Sequence, residues 1–298
     1  MPTVGAIASI TKLMTAVAVM QCVEQRKLNL DDDVRHEFHI MGKYSIIEDS
    51  DEEHAGITFK SVQTPITLRM LLTHTSGHEY DWFSALLLEG RAKRNGLPWS
   101  GSTVEDKSTL PLLFAPGTGF AYGAGNDWAG KLLDEYMRTH IWTSLGIDNE
   151  VTFHPKTKQG MEGRMADLTT LNAHFEPPAV DEPNFDSLFS SHDCFGGGGA
   201  YATAQAFYTS LSAVFRRDAR LLTPMSYTEL FRPQLDEHTE KAMCDYINST
   251  PEYTRYLGLG VPASIRKNCC FAGMVCIDGQ DIVFEKGTAM CGGFPSCK

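Results

Sequence analysis

Residues 8–23 read Ala8-Ser9-Ile10-Thr11-Lys12-Leu13-Met14-Thr15-Ala16-Val17-Ala18-Val19-Met20-Gln21-Cys22-Val23, and Leu13, Met14, Val17, Val19, Met20 and Val23 spread over most faces of a helical wheel. A helix that is apolar all round is buried inside a domain rather than laid on its surface, so the pattern predicts a central helix over residues 11–25. Ser9 and Lys12 form a Ser-x-x-Lys at its start. Residues three apart on a helix are neighbours, with Cβ atoms about 5–6 Å apart, so the Lys12 amine can reach the Ser9 hydroxyl. Free N–H groups and the positive end of the helix dipole favour an oxyanion developing at that end. An amine carried by an apolar helix also loses solvation, which favours the neutral form that a base requires.

The motif alone decides nothing. A Ser-x-x-Lys is expected roughly once in 300 residues of average composition, and Ser264-Ile265-Arg266-Lys267 repeats it here. The second copy lies in a polar stretch between strand-like runs and reads as surface loop. No Gly-x-Ser-x-Gly elbow occurs, Gly117-Thr118-Gly119 lacks the third glycine of a dinucleotide fingerprint, and Gly196 to Gly199 is not followed by Lys-Ser/Thr. His74 and His78 are four apart, as metal ligands on one helical face would be, but Thr75-Ser76-Gly77 between them breaks a helix. A structural turn is the preferred reading and a metal-dependent hydrolase a distant rival.

The 298 residues are 42% hydrophobic and 21% charged, with 26 Lys+Arg against 37 Asp+Glu, a net charge of −11. That is the composition of a globular protein large enough for one big core or two smaller ones. The acidic balance disfavours nucleic acid and anionic membranes, both of which need clustered cations. No stretch reaches the ~18–20 apolar residues of a membrane span. Residues 13–23 are too short for one, and they lack the basic flank and small-residue cleavage site of a secretion signal. Eight cysteines, five of them after residue 268, are too dispersed for a disulfide scaffold and show no Cys-x-x-Cys. They read as buried free thiols of a reducing, cytoplasmic protein.

Working along the chain, residues 48–53 read as an acidic loop, 67–73 and 127–137 as helices, and the proline-containing 155–193 as an excursion over the surface. Residues 204–215 predict another helix, and Ser226 with Glu229 suggests a capping box opening a further one. Strand-like runs appear only late, at 257–261, 271–277 and 287–293. Helices followed by strands predict an α+β domain over 1–298 with no linker to divide it.

Ala8-Ser9-Ile10-Thr11-Lys12 followed by Leu28-Asn29-Leu30-Asp31-Asp32-Asp33-Val34 resembles the opening of the serine β-lactamase-related family, which includes class C β-lactamases, DD-peptidases, family VIII esterases and fungal acyltransferases. Ile66-Thr67-Leu68-Arg69-Met70-Leu71-Leu72-Thr73-His74-Thr75-Ser76-Gly77 resembles that family's helix and turn. Phe114-Ala115-Pro116-Gly117-Thr118-Gly119-Phe120-Ala121-Tyr122 resembles its approach to a catalytic tyrosine, and Gly197-Gly198-Gly199-Ala200-Tyr201-Ala202-Thr203-Ala204 a further shared stretch. The resemblance implies Ser9 as nucleophile, Lys12 as its base partner and Tyr122 as a second general base. A tyrosine packed into the core after a turn is the competing reading of Tyr122. Tyr122-Gly123-Ala124 lacks the asparagine of the family's frequent Tyr-x-Asn, which favours ester chemistry over β-lactam hydrolysis. Glu285-Lys286-Gly287-Thr288-Ala289-Met290-Cys291-Gly292-Gly293-Phe294 resembles the strand whose backbone completes the oxyanion hole, with Cys291 where the esterase branch often carries tryptophan. Cys291, Gly292, Gly293 and Phe294 are thus the implied oxyanion and substrate-binding residues.

The implied fold is α+β and β-lactamase/transpeptidase-like, with a helical part at about 9–250 packed on an antiparallel sheet from strands at about 256–296. Only eight residues precede Ser9 and the chain stops at Lys298, so the sheet is expected to be incomplete at both edges. Met14, Val17 and Val19 are then expected to lose part of their cover, leaving a chain that self-associates. The implied activity is that of an esterase or acyltransferase working through a covalent acyl-enzyme on small ester or thioester substrates, with no metal or organic cofactor. The alternative is an inactive remnant or an incomplete gene model of the same family.

Overall fold

In the computed structural model, which describes every residue except 50–56, 94, 132, 172–176, 183–187, 189–190, 280–283 and 293–298, the apolar run forms helix α1 (Thr11–Glu24). Its residues from Thr11 to Cys22 are all buried. Met14 is 4% exposed, and Val17 and Val19 are fully covered, so the expected loss of cover on this helix does not occur. The cover comes from other helices. In chain order these are α2 (Leu68–Leu72), α3 (Ala85–Ala92), α4 (Val104–Ser108), α5 (Gly125–Gly130), α6 (Asp134–Met137), α7 (Ala204–Phe215), α8 (Pro224–Phe231), α9 (Glu237–Ile247) and α10 (Pro251–Tyr256). Helices α5, α6 and α8 pack directly on α1, and Trp128 and Phe195 are fully buried in the same core.

The strands are β1 (Val4–Ala6), β2 (Ile46–Asp49), β3 (Ile57–Lys60), β4 (Val151–Thr152), β5 (Thr169–Thr170), β6 (Val180–Asp181), β7 (Tyr201–Thr203), β8 (Lys267–Cys270), β9 (Gly273–Cys276) and β10 (Ala289–Met290). Among the described residues they form two three-stranded antiparallel sheets, β1-β7-β4 and β10-β9-β8, and the pairs β2-β3 and β5-β6. Strands are therefore not confined to the end of the chain. A strand does precede Ser9, with Val4 opposite Thr203 and Ala6 opposite Tyr201. Two- and three-residue strands are too short to show a period-2 pattern, and only their pairing defines them.

Other local expectations change for identifiable reasons. Residues 257–261 are not a strand, because Leu259 (φ 53°) and Gly260 (φ 74°) are both left-handed. The expected helix at 127–137 is broken after Gly130, where a Cβ would lie 2.5 Å from Gly196 Cα. The cap of α8 is Thr223, whose hydroxyl accepts from the Ser226 N–H, with Pro224 in the first turn. Ser226 is thus three residues inside the helix. Glu48 and Asp49 belong to β2, and the remainder of the expected acidic loop lies outside the described residues. Lys267 is not a surface residue: it opens β8 at 1% exposure, donating to the carbonyls of Val261 (3.4 Å) and Pro262 (3.2 Å). Ser264 is exposed, as expected.

Cys22, Cys194, Cys269, Cys270 and Cys276 are buried free thiols and Cys244 and Cys291 are half-buried, whereas Cys297 lies outside the described residues. Among the described residues no helix is long and apolar enough to cross a membrane. A second apolar cluster, with Met243, Ile247, Val261, Ile265 and Met274, joins α9 to the β10-β9-β8 sheet. The site described next lies where this cluster meets the start of α1.

Candidate active site

Strand β1 runs into a single 3₁₀ turn, Ala8–Ile10, before α1 begins. In a 3₁₀ turn residues i and i+3 eclipse each other, and Lys12 Nζ lies 3.2 Å from Ser9 Oγ, donating to it. Ala8, just before the serine, has φ 46°, a left-handed conformation that is costly for a residue with a Cβ. The turn is closed by Thr11 Oγ1 donating to Ala8 O (2.6 Å) and held to a distant loop by the Ile7 N–H donating to Ala200 O (3.0 Å) and the Ala200 N–H donating to Thr11 Oγ1 (3.2 Å).

That loop contains the glycines 196–199, and it supports the lysine. Lys12 Nζ donates to Gly197 O at 2.5 Å, and Thr15 Oγ1 donates to Gly196 O at 2.8 Å. A Cβ on Gly196 would lie 2.6 Å from Asn126 O, and one on Gly197 would lie 2.5 Å from Asp127 Oδ1. The glycine run thus serves close approach of backbone to α1 and α5.

Tyr122 arrives from the opposite side. Its hydroxyl donates to Ser9 Oγ at 2.8 Å, and Lys12 Nζ sits 4.7 Å from its ring centre. The segment is anchored on His74: the Ala121 N–H donates to the His74 carbonyl (3.0 Å), the Gly123 N–H to His74 Nδ1 (3.3 Å), and the His74 and Tyr122 rings lie 4.6 Å apart. Burial, with Lys12 adding to it, pushes His74 down to about 3, so the ring is neutral with its proton on Nε2. His78 is likewise lowered by burial, to about 4, and its Nδ1 pairs with Ser76 Oγ at 3.0 Å. The two histidines occupy a buried turn in which His74 has φ 60°, not one helical face.

The remaining wall is the β10-β9-β8 sheet together with α9. Cys291 Sγ donates to Ser9 O at 3.8 Å, so the end of β10 lies against the serine's main chain. Burial pushes this thiol up to about 11. Gly292 lines the same pocket, and a Cβ there would come within 2.5 Å of Leu259 Cδ2. Gly293 and Phe294 lie outside the described residues. Phe120, Met243, Ile247, Leu259, Met274 and Met290 complete a mostly apolar pocket open to Ser9 and Lys12.

The structure thus brings together Ser9, Lys12, Tyr122, Cys291 and Gly292. It also adds residues that no sequence spacing pointed to. Asp127, on α5, is buried with Oδ2 accepting from the Tyr80 hydroxyl (2.8 Å) and Oδ1 from the Gly197 N–H (2.7 Å). Burial pushes its carboxyl up, while Lys12, Tyr80, the Gly197 N–H and Lys107 pull it back down. Glu79 is buried and accepts from the Tyr246 hydroxyl of α9 at 2.5 Å.

A serine that receives a lysine amine and a tyrosine hydroxyl on a single oxygen, between a buried helix and an antiparallel sheet, defines a serine hydrolase or acyltransferase of the β-lactamase/transpeptidase type. The chain belongs to the β-lactamase family, whose model matches residues 3–279. It is similar to the ML-236A carboxylate methylbutanoyltransferase of Penicillium citrinum, with 30% identity over 97% of this chain and 70% of that protein. To the lovastatin esterase of Penicillium rubens it is 33% identical, over 77% of this chain and 59% of the esterase. Among solved structures it superposes on simvastatin synthase from Aspergillus terreus (LovD6 mutant) with a TM-score of 0.86 at 28% identity, covering 99% of this chain and 71% of that one.

Proposed function

We propose that Ser9 is the nucleophile of an acyl transfer in which a short, branched, apolar acyl group is moved from an ester or thioester to water or to an alcohol. The observation that carries this reading is the meeting of Lys12 Nζ and the Tyr122 hydroxyl at Ser9 Oγ, at 3.2 and 2.8 Å. Ser9 Oγ attacks the substrate carbonyl and its proton passes to the Lys12–Tyr122 pair. The tetrahedral oxyanion collapses with loss of the alcohol or thiol, which takes up the proton, and leaves acyl-Ser9. An incoming water or alcohol reverses these steps, with the same pair removing its proton.

Substrate class follows from the wall of the pocket. Phe120, Met243, Ile247, Leu259, Met274 and Met290 present apolar surface next to Ser9, with few polar groups to hydrogen-bond a substrate. The methionines adapt to a branched chain. The name of the transferase relative, which refers to methylbutanoyl transfer, agrees with such an acyl group, and that of the esterase relative agrees with ester chemistry. Cys291 and Gly292, directly after β10, are assigned to the substrate-facing segment whose backbone N–H groups stabilise the oxyanion, and Gly293 and Phe294 are assigned the same role from sequence alone.

The test is intact-protein mass spectrometry after mixing with the p-nitrophenyl ester of 2-methylbutanoic acid. One acyl group added per chain, mapped to Ser9 and absent from Ser9→Ala, is the expected result. An inactive remnant would give neither adduct nor p-nitrophenol. Turnover that survives in Ser9→Ala would place the nucleophile elsewhere.

A further inference from the structure

The carboxylate of Asp127 performs no step in the reaction above, yet it is 1% exposed and lies behind the catalytic lysine. A buried carboxylate is costly unless hydrogen-bonded and balanced by a cation. Asp127 has both kinds of compensation. The Tyr80 hydroxyl and the Gly197 N–H hold its two oxygens, and Lys107 supplies positive charge, to which Lys12 adds once it is protonated. The groups facing it are Lys12 from α1, Lys107 from α4, Tyr80 from the turn before α3, and the Cys194 thiol, which burial keeps protonated.

Gly197 connects this carboxylate to the lysine. Its N–H donates to Asp127 Oδ1 at 2.7 Å, while its carbonyl accepts from Lys12 Nζ at 2.5 Å. Any side chain at 197 would occupy the place of the carboxylate, since a Cβ would lie 2.5 Å from Oδ1. Tyr80 is itself fixed, with its ring stacked on Trp82 at 4.6 Å and 7°. A rigid path therefore runs from Tyr80 through Asp127 and Gly197 to Lys12 and Ser9.

We propose that Asp127 is a positioning residue for Lys12: acting through Gly197, it fixes the carbonyl that orients the amine on Ser9, and it supplies the buried counter-charge for the ammonium that forms when Lys12 takes the serine proton. The inference rests on the Ser9 acyl-enzyme reading. A buried aspartate that orients a histidine base and stabilises its cation does the same work in the serine protease triad.

The test uses Asp127→Asn, which keeps the shape and an acceptor for the Gly197 N–H and removes the charge. With the p-nitrophenyl ester, kcat is expected to fall about tenfold or more while KM stays nearly constant. The rate at which an active-site phosphonate labels Ser9 should fall in parallel with kcat. Full-rate labelling and an unchanged kcat in Asp127→Asn, with the parent labelled normally, would overturn the positioning role and leave the Ser9 assignment intact. Failure of the parent to label would overturn both. Should Asp127→Asn lose its cooperative thermal transition, the double variant Lys12→Met/Asp127→Asn, which removes both charges, is expected to regain it. A double variant no more stable than the single one would count against the coupling.

Discussion

The Tyr122 hydroxyl donates to Ser9 Oγ at 2.8 Å across 113 positions of sequence. Both partners are fixed by backbone contacts rather than by side-chain packing alone. Ser9 sits in a turn bonded to Ala200, and Tyr122 is flanked by N–H groups bonded to His74. A phenol held this way can carry a proton between serine, lysine and leaving group. Tyr122→Phe retains the ring and its contact with His74, so the thermal transition should persist while kcat drops by about 10²-fold, the usual loss for a general acid–base group. Steady-state kinetics beside a melting curve check this, and an equally active variant would return Tyr122 to a packing role.

Ser9 and Lys12 share one hydrogen bond inside one turn, so their contributions are not independent. Ser9→Ala and Lys12→Ala should each abolish nearly all turnover, and the double variant should cost little more than either alone, as found for groups that act as a unit. A double-mutant cycle on ester hydrolysis measures this; additive losses would mean that the two residues act separately.

Glu79 gives the protein a pH-dependent stability. Burial lifts its carboxyl to about 7, with only the Tyr246 hydroxyl pulling it down. In the unfolded chain a glutamate titrates near ~4.3. The folded state thus prefers the protonated acid, and this contribution is fully present below the unfolded value and is lost as pH rises through about 7. Glu79→Gln keeps an acceptor for Tyr246 and cannot ionise. Its Tm should match the parent at pH 4 and exceed it at pH 8, by a free energy of up to about 3 kcal/mol. Melting curves at both pH values decide it, and a Tm difference independent of pH would remove the ionisation argument.

Gly123 follows Tyr122, and its absent side chain has a structural cause. A Cβ there would fall 2.4 Å from both Glu79 Cα and His78 O, which are backbone atoms that no rotamer change can clear. Gly123→Ala should therefore cost about 1–3 kcal/mol in urea unfolding, the range for overpacking a core, and should lower kcat by displacing Tyr122. Unchanged unfolding and kinetics would show that the backbone yields.

What the sequence determined by itself is local. The apolar run fixes α1 as a buried helix, and a spacing of three brings Lys12 onto Ser9 because both lie within one helical turn. Tyr122 and the strand around Cys291 were legible only through the order of family-like blocks, since nothing near either one in sequence points to Ser9. The tertiary structure alone decided the rest. It showed that Val4–Ala6 is a strand, because a three-residue segment is defined by its partner Tyr201–Thr203 rather than by its pattern. It likewise showed that 257–261 is a turn despite its strand-like composition, because Leu259 and Gly260 adopt left-handed angles. Asp127, Tyr80 and His74 gained their roles in the same way. Their partners lie 47 to 70 positions away, at distances that loop closure and core packing set and that no local periodicity encodes.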